Sequence, residues 1–170
     1  MLATERDPRI AAFVSLEGAG RKIPVILEEQ MRAGGASQQV MDEVVAVDNS
    51  LLAGKTVASP DPQLAALFRP SVQPYPISDY RYEPADEFAK LKVPVAIVQG
   101  TTDLQVSLTD AKRLSDANKR AKLIVIDGMN HVLRDAPHAR DETIATYTEP
   151  SLPLDAKLVP AIAAFLSGTP

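Results

Sequence analysis

The 170-residue sequence contains no cysteine, which excludes disulfides, thiolate metal sites and cysteine nucleophiles together. It also lacks any apolar run near the roughly 18 residues that a membrane-spanning helix needs, so no membrane span is expected. Positive charge is not in excess, since 18 Lys and Arg face 22 Asp and Glu for a formal net charge of −4. This balance argues against a nucleic-acid or anionic-membrane partner bound by bulk charge.

The composition supports one compact domain of ordinary size, or a piece of a larger one. With 45% apolar and 24% charged residues the chain can bury a core. Proline is frequent, with 14 residues, and seven of them fall between positions 24 and 84. The compartment stays open, because a chain without cysteine is compatible with all of them.

The first apolar run, at residues 10–16, predicts a buried strand. Gly18-Ala19-Gly20 follows it and indicates a loop. Continuous apolar runs of this length are typical of parallel sheets, whose strands are covered on both faces.

Residues 21–91 predict short helices punctuated by prolines rather than a sheet. One helix begins at Pro24 and ends near Gly34, and a second is capped by Ser37 and ends near Gly54. The second helix shows apolar residues at helical spacing, namely Val40, Val44, Val47 and Leu51. Further short helices are bounded by Pro62, Pro70 and Pro84.

A strand–helix–strand pattern follows Pro94. The apolar runs Val95–Val98 and Leu123–Ile126 predict two strands, and Ser107 with Asp110 predicts a capped helix between them. A final amphipathic helix is marked by Leu158, Ile162 and Leu166. The sequence therefore predicts an α/β fold, with a short parallel sheet of about three strands, flanking helices and a helical insertion.

Two polar loops follow neighbouring strands of this sheet. Asp103 lies in the loop after the first strand of the pair, and His131 lies in the loop after the second. Because the carboxyl ends of parallel strands meet at one edge, the two side chains could form a carboxylate–imidazole pair. Such a pair holds the ring in the form that a general base requires. The alternative is a turn-forming aspartate and a surface histidine.

A metal site is a weaker alternative. His131, Asp135 and His138 could supply ligands, but two histidines seven positions apart lack the spacing that places both on one helix face. A solvent-facing role fits His138 better. Neither a metal nor another cofactor is therefore expected.

Two stretches resemble the C-terminal third of an α/β-hydrolase. Val93–Ser107 contains Gly100-x-x-Asp103, and Ala121–Leu133 contains Gly128-x-x-His131, which match the acid and histidine loops of that family. The resemblance implies that residues 1–20 hold a strand of the hydrolase core. It makes residues 21–91 a helical lid and residues 92–170 the C-terminal α/β core, in which Asp103 orients His131.

One part of the family pattern is missing. The sequence has no G-x-S-x-G nucleophile elbow, and the strands and oxyanion donors that precede it in the family are absent as well. We therefore expect the C-terminal part of a carboxylesterase- or lipase-like serine hydrolase, acting on esters more readily than amides and inactive alone. Truncation, an alternative start or a misplaced start codon would each account for this. The alternative is a non-catalytic binding or assembly module on the same scaffold.

The resemblance also suggests how the chain contacts substrate and partners. An ester substrate would bind only if an N-terminal half completed the site, and the unpaired strand at 10–16 predicts a homo-oligomer or pairing with that half. Five apolar and aromatic residues of the lid could line an acyl pocket, with ordinary packing as their alternative role. These are Leu67, Phe68, Tyr75, Tyr80 and Tyr82.

Overall fold

The computed structural model describes residues 1–169, which divide into two compact units. The sheet-bearing unit combines residues 1–20 with the chain from residue 84 onward, and the helical unit comprises residues 21–83. The predicted boundary between the helical insertion and the C-terminal core lies after residue 91. The helix Pro84–Ala89 instead groups with the sheet, because its Phe88 is fully buried beside sheet residues.

The sheet has three parallel strands in the order β1-β2-β3, which confirms the predicted fold class. The strands are β1 (Phe13–Leu16), β2 (Val95–Gly100) and β3 (Lys122–Ile126). Strand β1 is shorter than the predicted run at 10–16. Its ladder begins where the N–H of Phe13 donates to the carbonyl of Pro94 at 3.0 Å. Because Pro94 has no N–H, it cannot donate the next bond of the ladder toward residue 11.

The central strand β2 is buried along its whole length. Its side chains alternate between two apolar layers, as the pleat of a strand requires. One layer contains Phe88, Leu91, Val95, Ile97, Ala111 and Leu114. The other contains Val98, Ile126, Met129 and Leu158.

Five helices accompany this sheet. They are α1 (Leu2–Arg6), α6 (Pro84–Ala89), α7 (Leu108–Ala117), α8 (Arg140–Thr146) and α9 (Leu158–Ser167). Helix α7 connects β2 to β3 and begins with the predicted capping box of Ser107 and Asp110. Helices α1 and α8 were not predicted, since they are short, carry several charges and bury little apolar surface. No helix within residues 1–169 has the length and apolar character needed to cross a membrane.

The helical unit contains α2 (Ile23–Ala33), α3 (Gln38–Leu52), a 3-10 turn (Pro62–Leu64) leading into α4 (Ala65–Phe68), and α5 (Pro74–Asp79). As predicted, Ser37 caps α3 by accepting from the N–H of Val40 at 3.4 Å. Helix α5 lies in the proline- and tyrosine-rich stretch for which no helix was predicted. The core of this unit is formed by Val44, Val47, Leu51, Leu64, Phe68 and Tyr80.

The carboxyl end of β2 lies unusually close to the chain that follows β3. A Cβ atom on Gly100 would lie 1.8 Å from the carbonyl oxygen of Met129, which is backbone and cannot rotate away. Glycine is therefore required at this position by space alone.

We expect Gly100→Ala to destabilise the chain by about 3 kcal/mol, because the two strand ends must separate to admit the methyl group. Urea unfolding followed by circular dichroism measures the loss. Gly168→Ala is the matched control, since a Cβ there meets its nearest atoms at 3.5 and 3.6 Å, an ordinary contact distance. Equal stability of Gly100→Ala and wild type would contradict the close approach.

Candidate active site

Two loops leave the carboxyl edge of the sheet side by side. The first follows β2, the second follows β3, and several hydrogen bonds join them. The N–H of Thr101 donates to the carbonyl of Ile126 at 3.1 Å, and that of Thr102 donates to Met129 at 3.2 Å. The Thr102 hydroxyl donates to the carbonyl of Gly128 at 2.8 Å. Residues of the two loops are thus held in a fixed relation.

Asp103 lies in the first loop with its carboxylate turned inward. Its side chain is 1% exposed. One oxygen, Oδ1, accepts from the N–H groups of Gln105 and Val106 at 2.7 and 2.9 Å. The other oxygen, Oδ2, lies 2.9 Å from Nδ1 of His131. The structure thus brings together the two residues that the loop positions predict to pair.

The surroundings of Asp103 favour its ionised form. Burial opposes ionisation, but hydrogen bonds from the side chains of His131 and Glu17 and from the backbone of Val106 and Gln105 outweigh it. These donors hold the pKa of Asp103 below its ordinary value.

His131 is positioned by the residue before it. Asn130 is fully buried, and its side-chain oxygen accepts from the N–H groups of Val132 and Arg134, both at 3.0 Å. Its side-chain nitrogen donates to the hydroxyl of Thr146 at 2.7 Å. Asn130 therefore closes the turn around His131 and joins it to α8.

The contact with Asp103 decides which nitrogen of the His131 ring carries hydrogen. An ionised carboxylate only accepts, so in the neutral ring Nδ1 carries the hydrogen and Nε2 keeps a lone pair. The ring is 29% exposed, while the carboxylate behind it is closed to solvent. This arrangement can take a proton at Nε2 while Asp103 stabilises the resulting positive charge.

Tyr147 links both loops and was not found from the sequence. Its hydroxyl accepts from the N–H of Leu104 at 3.2 Å and also bonds to the backbone of His131. Burial, together with the charges of Asp103 and Glu17, raises the pKa of this tyrosine. No periodic pattern surrounds Tyr147, so nothing in the sequence singles it out.

Glu17 is the second residue that sequence reasoning missed. It directly follows β1 and is 4% exposed. Its Oε1 accepts from the N–H of Gly100 at 2.8 Å, and its carboxyl group also contacts the side chains of Gln99 and Asp103. Burial and the neighbouring Asp103 raise the pKa of Glu17 to about 9. The sequence did contain a signal for Glu17, which is a charged residue directly after an apolar strand. The carboxyl end of that strand lies at the same sheet edge as Asp103 and His131.

The alternative metal ligands do not gather around His131. The His138 side chain is 69% exposed, and its Nε2 lies 3.6 Å from Oδ1 of Asp127. Asp135 forms a backbone bridge with Met129. Across residues 1–169, no group of three His, Cys, Asp or Glu side chains is arranged to hold a metal ion.

Four of the five predicted pocket residues line one apolar cleft within the helical unit, of about 230 Å³. Leu67 and Tyr75 are exposed there, whereas Phe68 and Tyr80 are buried in the core of the unit. These four residues meet, but Tyr82 is not among the residues that line the cleft. Substrate contact by any of the five stays a prediction.

Buried Tyr80 also has a polar partner within this unit. Its hydroxyl donates to Oδ1 of Asp48 at 2.9 Å, and burial raises the pKa of Asp48 to about 6. The Tyr80 hydroxyl therefore pairs with a buried carboxyl group, in addition to the part that Tyr80 plays in lining the cleft.

The chain is similar in fold to several solved structures, and those with a TM-score above 0.5 carry the fold assignment. A bromoperoxidase from Bacillus anthracis matches with a TM-score of 0.51 and 15% identity, over 98% of this chain and 61% of that chain. A protein assigned provisionally as a non-heme bromoperoxidase, from Mycobacterium tuberculosis H37Rv, matches with a TM-score of 0.51 and 10% identity, over 99% and 62%. An enol-lactonase from Burkholderia xenovorans LB400 has a TM-score of 0.46 and 16% identity, over 97% and 60%. No protein-family model and no curated protein sequence matches the chain.

The chain has the α/β-hydrolase fold in part. It spans about three-fifths of the length of the solved structures that it matches. At sequence identities this low the likeness defines the fold and leaves the reaction open. The partial α/β-hydrolase fold is thus the fold that the resemblance of the two loops predicts.

We expect Asp103→Asn to change the hydrogen position on the His131 ring. An amide in place of the carboxylate can donate to Nδ1, which favours hydrogen on Nε2 and removes the lone pair from the exposed side. Nitrogen-15 NMR of the ring distinguishes the two forms. Asp127→Asn is the control, since the Asp127 carboxylate is 78% exposed at the end of the next strand. An unchanged ring spectrum in Asp103→Asn would show that the pair does not form.

Proposed function

We propose that Asp103 and His131 are the acid and the base of an acyl-transfer site that hydrolyses esters, and amides less readily. The observation that carries the proposal is the 2.9 Å contact between a solvent-closed, ionised carboxylate and a partly exposed imidazole. In this role Nε2 of His131 takes the proton of a nucleophile and later gives it to the leaving group.

The nucleophile in this proposal is a serine outside these 170 residues. No serine in the sequence has the flanking glycines of a nucleophile elbow. Ser15 lies within β1, and Ser50 lies within α3 with its hydroxyl donating to the carbonyl of Ala46. An added segment must therefore bring both the serine and the oxyanion donors to the exposed edge of the His131 ring.

We expect the 170-residue chain alone to show no serine-dependent hydrolysis of short p-nitrophenyl esters. If the DNA upstream of Met1 encodes G-x-S-x-G in frame, the polypeptide that includes this motif should hydrolyse these esters. His131→Ala should then lower its kcat by about ten-thousandfold, because members of a triad act as a unit. The absorbance of the released p-nitrophenolate measures the rate of product formation.

The matched control for His131→Ala is His138→Ala, because the His138 side chain is 69% exposed and lies away from Asp103. It should keep full activity. Turnover by the 170-residue chain that a fluorophosphonate abolishes would contradict the proposed source of the serine. Activity that survives His131→Ala would contradict the proposed base.

A second candidate function is a non-catalytic assembly module, which the open edge of β1 favours. Within residues 1–169 only β2 pairs with β1. Phe13 and Glu17 donate their N–H groups toward β2, so those of Val14 and Leu16 point the other way because successive residues of a strand alternate. Leu16 is 39% exposed beside this edge. Such an edge can pair with another chain, and we propose a second copy of this one.

We expect the chain to form a homodimer through β1 at tens of micromolar, an order-of-magnitude concentration for association. Leu16→Lys should shift it to monomer, since a lysine on an edge strand opposes pairing. Light scattering coupled to size-exclusion chromatography measures the mass. Leu123→Lys is the control on the opposite edge strand, because Leu123 is similarly exposed at 40%. A monomeric wild type would contradict the assembly.

A further inference from the structure

Glu17 is a buried carboxyl group to which the acid–base scheme gives no task. It directly follows β1, 86 positions before Asp103, and its carboxyl group is hydrogen-bonded to that of Asp103. The side-chain nitrogen of Gln99 donates to both carboxyl groups and holds them together. Two other groups fix its direction, because its Oε1 accepts from the N–H of Gly100 at 2.8 Å and its Oε2 accepts from the side chain of Gln99.

Two carboxyl groups in contact inside a protein cannot both be ionised, so they share one proton. Asp103 holds the negative charge, since two backbone N–H groups and His131 donate to it. Glu17 has fewer donors, namely the Gly100 N–H and the Gln99 side chain, and burial together with the neighbouring Asp103 raises its pKa to about 9. The other titratable groups facing the pair are His131 and Tyr147. The proton therefore belongs to Glu17.

We propose that Glu17 is a positioning residue whose protonated carboxyl donates a hydrogen bond to Oδ2 of Asp103. Glu17, Asp103 and His131, which follow β1, β2 and β3, then form one chain of hydrogen-bonded side chains. This inference rests on the proposed function, because that function makes His131 the base. The contact between Glu17 and Asp103 can nevertheless be tested without substrate or turnover. Glu17 aims Oδ2 at the imidazole and withdraws part of the carboxylate's charge, and its ionisation would place a second negative charge at the base of the site.

The direct test uses the wild-type chain labelled with carbon-13 in the carboxyl groups of aspartate and glutamate. The Glu17 carboxyl carbon should keep the chemical shift of a protonated acid at about pH 7, far above the ordinary range of glutamate pKa values. It should titrate near pH 9. In Asp103→Asn this titration should move to lower pH, because the neighbouring charge is gone. A Glu17 carbon with the shift of an ionised acid at about pH 7 would overturn the proposal.

Two variants separate positioning from mere packing. Glu17→Gln keeps a donor toward Asp103, whereas Glu17→Met has similar length and no donor. The readout is solvent exchange of the His131 Nδ1 hydrogen, seen by proton NMR. Exchange should stay near wild type in Glu17→Gln and rise about tenfold in Glu17→Met, the loss expected for one hydrogen bond. Hydrogen exchange as slow as wild type in Glu17→Met, or equally fast exchange in both variants, would show that Glu17 has no positioning role.

Stability against pH gives an independent readout. A glutamate whose pKa rises from 4.5 unfolded to about 9 folded makes the folded state progressively less stable across that interval, because the unfolded state releases its proton first. Glu17→Gln should therefore gain stability relative to wild type between about pH 5 and about pH 8. No gain would contradict the protonated state.

Glu87→Gln is the matched control for this stability readout. A contact with Lys90 lowers the pKa of Glu87, so its contribution has the opposite sign and its removal should cost more stability as pH rises. Because these experiments need no nucleophile and no substrate, inactivity toward esters would leave this proposal standing. A protonated Glu17, in turn, would neither support nor contradict the ester proposal, which the kinetic experiments on His131 test separately.

Discussion

The close approach of two backbone segments underlies the candidate site. Gly100 ends β2 directly against the carbonyl of Met129, and the Thr101 and Thr102 N–H groups donate to carbonyls on the neighbouring chain. A side chain at residue 100 would separate the strand ends and, with them, Asp103 and His131. The short distance between these two side chains thus follows from a packing constraint in the backbone, and their hydrogen bond completes an arrangement that the sheet has already made.

The parts of the fold that local patterns determine could be predicted from the sequence. Continuous apolar runs located the strands, and Ser107 with Asp110 located the start of α7. The length of β1 could not be predicted in the same way. Its first ladder bond depends on Pro94, which is distant in sequence and has no N–H to extend the pairing. Helix α8 was missed because it is held by contacts such as Asn130 to Thr146 rather than by an apolar stripe.

For the site, the topology of a parallel sheet was enough to pair Asp103 with His131, because residues after neighbouring strands share an edge. The same reasoning extends to Glu17, whose strand also ends there, and it would have placed that carboxyl beside the others. Its protonation depends on burial and on the contact with Asp103, which no pattern of residue types displays. Tyr147 lies beyond α8 on a segment without regular spacing, so only the folded chain reveals that its hydroxyl joins both loops.

The pairing of β1 with β2 has a consequence for how the chain folds. Ser15 pairs with Ile97, and the 63 residues of the helical unit lie between these strands along the chain. Strands β2 and β3 are joined through the single helix α7, so their pairing closes a far shorter loop. Because loop-closure entropy grows with length, we expect the β2–α7–β3 element to form first and β1 to dock onto it afterwards. Glu17, which follows β1, would then reach Asp103 and His131 last. The proton shared by the two carboxyl groups would therefore be in place only when the chain is fully folded.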